Sequence, residues 1–245
     1  MRWYTYFSTV ESTNQWLKVK LREEKNLPEG YVVRAGFQEA GRGQGANRWE
    51  SERGRNLLFS VLLRPDHIDI GKQFLLSQMI ALAILTTLRR LLPEEKDAFT
   101  VKWPNDIYWN DRKLGGILIE NVVQGAVIKA SILGVGLNIN QKIFYSDAPN
   151  PVSLRQISGS CHRVVGVMKG ILSTLFESYS LDPEVLQSNF AASLYRKEGF
   201  HSFYSDEKGR FEAAIVRVEE DGRLVLKEKT GTESGFYFKE VQFLI

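Results

Sequence analysis

The fifteen residues from Lys102 to Gly116, Lys-Trp-Pro-Asn-Asp-Ile-Tyr-Trp-Asn-Asp-Arg-Lys-Leu-Gly-Gly, hold two lysines, two tryptophans, two aspartates and a glycine pair. Apolar sequence on both sides predicts that the stretch lies deep in the fold, where lysines and aspartates are costly unless paired or used. Such a cluster beside Gly115-Gly116 suits a site for a charged ligand. Lys102 and Lys113 each adjoin a strand, and a lysine held beside a phosphate or carboxylate stabilises the charge that develops in phosphoryl or nucleotidyl transfer. Asp106 can hold Mg²⁺, which takes oxygen ligands. Asp111 reads as part of a turn.

Three further stretches carry polar groups that chemistry could use. Gly41-Arg42-Gly43-Gln44-Gly45 has three glycines in five positions; its backbone amides could turn toward an anion, with the Arg42 guanidinium beside them. It lacks the Gly-Lys-Ser/Thr of a P-loop and does not form Gly-x-Gly-x-x-Gly. Asn138 and Asn140 follow Gly134 and Gly136, either as a bulged strand ending in a turn or as a place where a ligand approaches the backbone. Ser12-Thr13-Asn14 either caps a helix or presents polar groups at its N-terminus. The histidines are too scattered for a zinc site. There is no Gly-x-Ser-x-Gly elbow, and Cys161 reads as a non-catalytic thiol.

These residues need elements to position them. Residues 3–7 read as an aromatic strand. Ser12 and Gln15 have capping-box spacing, and Trp16, Leu17 and Leu21 give the following helix an apolar face. Pro28-Glu29-Gly30 is a turn, Tyr31–Gln38 a strand, and Asn56–Leu63 a strand buried on both faces. A helix spans about 72–92 and stops at Pro93. Thr100–Trp103 and Ile107–Trp109 are strand pieces split by Pro104; Asn110-Asp111-Arg112 turns into a strand over Leu114–Asn121, and Ala126–Ile139 supplies another. Residues 141–160 read as a structured loop, and a helix covers about 163–179. The next helix, capped by Asp182 with Pro183 at its first position, is expected to run to near Gly199. Asp221-Gly222 then marks a hairpin between Phe211–Val218 and Leu224–Lys229, and residues 231–245 add one or two strands. The domains expected are 1–198 and 199–245.

The bulk composition excludes several classes. With 43% hydrophobic and 25% charged residues, the chain of 245 can fill a core, and its net charge of +3 does not by itself argue for nucleic acid. One cysteine cannot form an internal disulfide, which fits a reducing, cytoplasmic setting. The 74–92 segment is interrupted by Ser77, Gln78, Thr86, Thr87, Arg89 and Arg90 and reads as a core helix, so no membrane partner is expected.

Taken in order, Ser12-Thr13-Asn14, Gln38, Gly41-Arg42-Gly43-Gln44, Trp49, Lys102-Trp103-Pro104-Asn105-Asp106, Lys113-Leu114-Gly115-Gly116-Ile117-Leu118 and Gly136-Leu137-Asn138-Ile139-Asn140 resemble the motifs of the biotin protein ligases. The resemblance covers essentially the whole chain. It implies an α+β fold: a mixed β-sheet flanked by helices, related to class II aminoacyl-tRNA synthetase catalytic domains, with a small C-terminal SH3-like barrel. It implies a two-step reaction in which biotin and ATP give biotinyl-AMP, whose biotin then passes to a lysine of a biotin carboxyl carrier domain, typically of acetyl-CoA carboxylase. Carried over residue by residue, Ser12, Thr13, Asn14, Gln38, Arg42, Gly43, Gln44, Lys113 and Gly116 face biotin. Arg48, Trp49, Lys102, Asn105, Asp106 and Asn138 serve ATP, with Asp106 also holding Mg²⁺, and Lys113 and Arg42 carry the chemistry.

The chain departs from some members in having Gln44 where they have the last arginine of Gly-Arg-Gly-Arg, so one cation is missing or is supplied by Arg48 or Lys113. Members that repress transcription carry an N-terminal helix-turn-helix; the eleven residues before Ser12 cannot hold one, so no sequence-specific DNA binding is expected. A homodimer through exposed strand edges is compatible with the pattern. The alternatives are a lipoate or octanoate ligase or transferase of the same fold, and a biotin-binding regulator without catalysis.

Overall fold

The computed structural model describes residues 4–24, 26–45, 47–145, 150–179 and 181–245. Trp3 of the expected first strand, Ala46 after the glycine loop, and 146–149 of the expected loop lie outside these residues. Seven strands form the main sheet: β1 (Tyr4–Phe7), β2 (Val32–Ala35), β3 (Leu57–Leu63), β4 (Phe99–Lys102), β5 (Asp106–Trp109), β6 (Arg112–Gln124) and β7 (Val127–Leu137). Their order is β1-β2-β3-β7-β6-β5-β4. The β1–β2 pair is parallel and the other pairs are antiparallel, so the sheet is mixed.

Helices cover both faces. On one face lies α1 (Thr13–Glu23), whose Leu17 packs with Val33, Leu62 and Ile132. On the other lie α2 (Phe74–Leu91), α4 (Val164–Ser178) and α5 (Pro183–Ala192), packed with Phe59, Val61, Leu63 and Leu133. Two covered faces explain why β3 is apolar almost throughout and buried along its whole length. The segment Ile70–Leu91 is long and apolar enough to cross a membrane by composition. Its apolar residues are instead core: Leu76, Ile80, Ile84 and Leu88 are fully buried.

Three local readings change. Ser12 caps α1 by accepting from Gln15 N at 3.4 Å, but the reciprocal bond of a capping box is absent among the described residues. The complete box sits in the stretch expected to be loop, where Ser153 and Gln156 satisfy each other at the start of α3 (Leu154–Ser158). Helix α5 stops at Ala192 rather than near Gly199, because the chain after it pairs with the edge of β4: Val101 N donates to Ser193 O and Tyr195 N to Val101 O, each at 2.8 Å. That pairing covers an otherwise open strand edge. The opposite edge, β1, leaves Tyr4 and Tyr6 exposed.

A second, antiparallel sheet follows: β8 (His201–Ser205), β9 (Gly209–Val218), β10 (Leu224–Glu228), β11 (Glu233–Phe236) and β12 (Gln242–Phe243), ordered β11-β10-β9-β8-β12. It fits a small SH3-like module, and among the described residues no ladder between β11 and β12 closes it into a barrel. The β9–β10 hairpin turns at Gly222, whose φ of 92° is open to glycine and strained for other residues. The Gly222 carbonyl accepts from Trp103 Nε1 at 2.8 Å, and Lys72 pairs with Glu220 at 3.1 Å. Leu224, Phe236 and Val241 join the apolar cluster of the main sheet. The second sheet is thus held against the Lys102–Gly116 stretch.

Candidate active site

Register across the main sheet builds the floor of the site. Lys102 pairs with Asp106, Asp106 with Gly116, Gly116 with Gly136, and Gly136 with Leu58. One step along, Leu118 pairs with Gly134 and Gly134 with Ser60. Directly paired residues share a face, and this is the face that carries α1. Lys113 belongs to the opposite face by simple alternation from Gly116. The β5–β6 register shifts between Ile107 and Tyr108, so that Tyr108 pairs with Lys113 and Leu114 is the extra residue. The bulge turns Lys113 onto the floor, where its Nζ lies 2.7 Å from Asp106 Oδ1.

The glycines of the floor hold protein side chains. A methyl group on Gly134 would lie 2.2 Å from Asn14 Oδ1, and one on Gly136 would lie 2.7 Å from Trp49 Cε2. Gly116 is the roomier position: its methyl would stand 3.4 Å from Asp106 Oδ1, 3.5 Å from Trp49 Cζ3 and 3.9 Å from Lys113 Cε. Asp106, Trp49 and Lys113 therefore meet around an opening that Gly116 keeps free.

Above the floor lies a cavity of about 560 Å³, within the range of small-molecule sites. Every expected site residue except Asn138 lines it. At one end is a connected polar network. Gln38 Oε1 accepts from Thr13 N at 2.7 Å and from Thr13 Oγ1 at 2.9 Å. Ser60 Oγ lies 2.7 Å from Thr13 Oγ1 and 2.6 Å from Asn14 Oδ1, so its single proton serves one of the two. Asn14 Nδ2 donates to Leu118 O at 3.2 Å and to Glu120 Oε2 at 3.1 Å, and Glu120 is paired with Lys18 at 2.9 Å. These bonds leave the Gln38 amide NH₂ with no acceptor among the described residues.

The charged residues of the lining are mostly cationic: Arg42, Arg48, Lys102, Lys113 and Lys239 against the single carboxylate of Asp106. Arg42 and Arg48 are bridged to each other by backbone pairing across the glycine loop, and neither makes an ion pair among the described residues. Trp49 Nε1 and Gln44 Oε1 are buried without a hydrogen-bond partner among the described residues. An orphaned buried polar group costs about 1–3 kcal/mol, so this wall has one donor and one acceptor left for a ligand.

The family model of the biotin/lipoate A/B protein ligase family matches residues 6–138, just over half of the chain. The chain belongs to that family. It is 30% identical over 218 residues to the bifunctional ligase/repressor BirA of Bacillus spizizenii, covering 84% of this chain and 64% of the relative. It is 34% identical over 130 residues to the biotin–[acetyl-CoA-carboxylase] ligase of Mycobacterium tuberculosis, covering 53% of this chain and 47% of the relative. The chain thus spans less than two thirds of the length of these curated relatives. Its fold is similar to that of the biotin protein ligase from Aquifex aeolicus in complex with biotin and ATP, with a TM-score of 0.79 at 21% identity over all of both chains.

Within this member of the biotin/lipoate ligase family the two lysines differ in setting. Burial lowers the Lys102 pKa; the charges of Lys113 and Arg196 push the same way and Asp106 opposes them. Its ammonium sits over the Tyr108 and Phe243 rings, at 5.3 and 5.2 Å. Asp111, read as a turn residue, accepts from Tyr195 OH. Asn138 lies outside the cavity: its Nδ2 donates to Val152 O at 3.1 Å, and its backbone bonds to Leu114 and Leu154, so it fastens the segment that holds β6 in place. Asn105 shapes the loop before β5, with Nδ2 donating to Ile117 O at 2.6 Å.

Sequence reasoning missed Ser60 and Glu120 of the polar network, and Phe238, Lys239, Val241, Gln242 and Phe243 of β12 and the turn before it, which line the cavity. Ser60 left a signal, as the one hydroxyl in an otherwise apolar buried strand. The second-sheet residues left none, because only the docking of that sheet brings them to the site.

Proposed function

We propose that this chain is an ATP-dependent biotin protein ligase, joining biotin to a lysine of a biotin carboxyl carrier domain through biotinyl-5′-AMP. The observation that carries the reading is a cavity with two unlike ends. A hydrogen-bonding network of Thr13, Asn14 and Gln38 lines the same cavity as five cations and one carboxylate, of which Lys113 and Asp106 meet beside Gly116. A ureido ring with N–H and C=O groups matches the first, and a carboxylate meeting a nucleotide phosphate matches the second.

In the first step a biotin carboxylate oxygen attacks the α-phosphorus of ATP; the new P–O bond forms as the bond to pyrophosphate breaks. Two anions must approach, so the charge that develops needs fixed cations, and Lys113 with Arg42 supplies them. Asp106 holds Lys113 in place through Oδ1. In the second step the neutral carrier amine attacks the acyl carbon, AMP leaves with the bonding electrons, and the amine loses its proton. The role of the glycine loop, held together by Gly43 N donating to Asn47 O at 2.8 Å and Trp49 N to Gly41 O at 3.0 Å, is to keep water from the mixed anhydride.

Magnesium fits this donor set in one way. Among the described residues no group of three acidic, histidine or cysteine side chains gathers, and Asp106 is the one carboxylate of the lining. That suits an ion carried largely by phosphate oxygens and water, for which Asp106 would be the protein ligand. When bound, it supplies further charge stabilisation at the phosphates.

The polar network favours biotin over lipoate, whose dithiolane ring offers neither N–H nor C=O. Incubation with ATP, Mg²⁺, biotin and an apo carrier domain is expected to give streptavidin-detectable carrier. Transfer of lipoate or octanoate in place of biotin would assign the chain to the other branch of the family.

A further inference from the structure

Lys239 lies in the turn between β11 and β12 of the second sheet, far from every expected site residue in sequence, yet it lines the cavity. Its side chain runs over the glycine loop: a methyl group on Gly45 would stand 3.0 Å from Lys239 Nζ and 3.2 Å from Cε. Its backbone is held in the left-handed region at φ 75°, which disfavours residues other than glycine. The turn that imposes this is closed by Glu240 N donating to Tyr237 O at 3.0 Å and Tyr237 N donating to Glu240 Oε2 at 2.6 Å. Tyr237 OH donates to Asp221 Oδ2 at 2.9 Å, and the next residue, Gly222, accepts from Trp103 Nε1 at 2.8 Å. A continuous chain of bonds therefore fixes the Lys239 turn to the hairpin that carries Asp106.

The ammonium so placed makes no ion pair among the described residues. Next to Gly45 in the chain, Gln44 brings no charge to the loop, and its Oε1 is buried without a partner among the described residues. We infer that Lys239 is a phosphate-binding residue supplied by the second sheet, filling the electrostatic place that Gln44 leaves without a cation. The second sheet then completes the nucleotide end of the cavity, and the loop and Lys239 contact the same phosphate chain. This inference rests on the ligase reading for its substrate, ATP.

The test is a mutant cycle on the full chain, read by biotin-dependent exchange of pyrophosphate into ATP. Lys239→Ala and Lys239→Met are each expected to raise the KM for ATP about tenfold, the size of one lost charge-assisted contact, with kcat and thermal midpoint little changed. Lys239→Arg is expected to keep the wild-type KM. Gln44→Arg is expected to recover most of the loss in the Lys239→Ala background and to add less than about twofold to wild type, since coupled residues do not add. A wild-type KM in Lys239→Met, or an equal gain from Gln44→Arg in both backgrounds, would overturn the inference. If wild type shows no exchange at all, the ligase reading falls, and calorimetric titration with ATP decides this one separately. Weaker binding by Lys239→Met supports it; equal binding overturns it.

Discussion

The Trp49 indole packs against Gly136, so close that a single methyl group there would fall 2.7 Å from Cε2 and 2.9 Å from Nε1. Trp49 reaches on over Gly116, and Lys113 Nζ lies 6.0 Å from its ring centre. The indole is thus a wall of the Lys113–Asp106 centre, set in position by two glycines of neighbouring strands. Gly136→Ala is expected to push the ring toward the cavity and to slow adenylation about a hundredfold, the usual effect of a misplacement near 1 Å. It should destabilise the fold by about 1–3 kcal/mol through overpacking. A shift in tryptophan fluorescence should accompany the kinetic loss; an unmoved spectrum with full activity would remove Trp49 from the site wall.

Lys113→Ala separates chemistry from folding. Removing one preorganised electrostatic stabiliser typically slows the step about 10²–10³-fold, whereas the Lys113–Asp106 pair is partly solvated and worth about 1 kcal/mol or less to stability. Pyrophosphate-exchange rates and urea midpoints, measured on the same preparations, should diverge accordingly. Parallel losses in both would make Lys113 a structural residue.

Ser60→Ala reaches the polar end of the cavity without touching the cationic end. One hydroxyl then no longer serves Thr13 Oγ1 or Asn14 Oδ1, a loss of about 1 kcal/mol. Biotin affinity in titration calorimetry should fall about fivefold while ATP affinity holds. A fall in ATP affinity alone would contradict the division of the cavity into two ends.

Lys102 carries a pH signature. Its pKa is lowered in the folded chain because burial disfavours the charged ammonium, so between that lowered value and 10.5 the unfolded chain binds the extra proton. Stability from this group therefore rises with pH across that window and is lowest below it. Lys102→Met removes the buried charge, and its thermal midpoint should exceed that of wild type at neutral pH, with the gap narrowing as pH approaches 10.5. A constant gap, or a less stable variant at neutral pH, would show that the ring contacts with Tyr108 and Phe243 outweigh desolvation.

Much of this site was legible because its residues stand in short local runs. Lys102–Gly116 and the glycine loop stood out by composition, Ser12-Thr13-Asn14 read equally as a helix cap, and it was the resemblance that joined the three into one family and one site. What escaped depends on pairing between distant segments. Lys113 faces Asp106 only because Leu114 is bulged out of register, which alternation along β6 does not reveal. Gly134 and Gly136 read either as part of a bulged strand or as room for a ligand, and the space beside them is filled by Asn14 and Trp49 from elsewhere in the chain. Asn138 has a ligand-binding residue type and a fastening role. The end of α5 was misread because its stop comes from a sheet edge more than eighty residues earlier in the chain, not from a local breaker. Lys239 reaches the glycine loop only through the docking of the second sheet.

The most direct test of the central claim is exchange of labelled pyrophosphate into ATP by the purified chain with Mg²⁺. Exchange that requires biotin, and that lipoate and octanoate do not support, is the result expected of a cavity whose neutral end reads a ureido ring and whose cationic end joins a carboxylate to a nucleotide. No biotin-dependent exchange, or exchange supported equally well by lipoate, would contradict it.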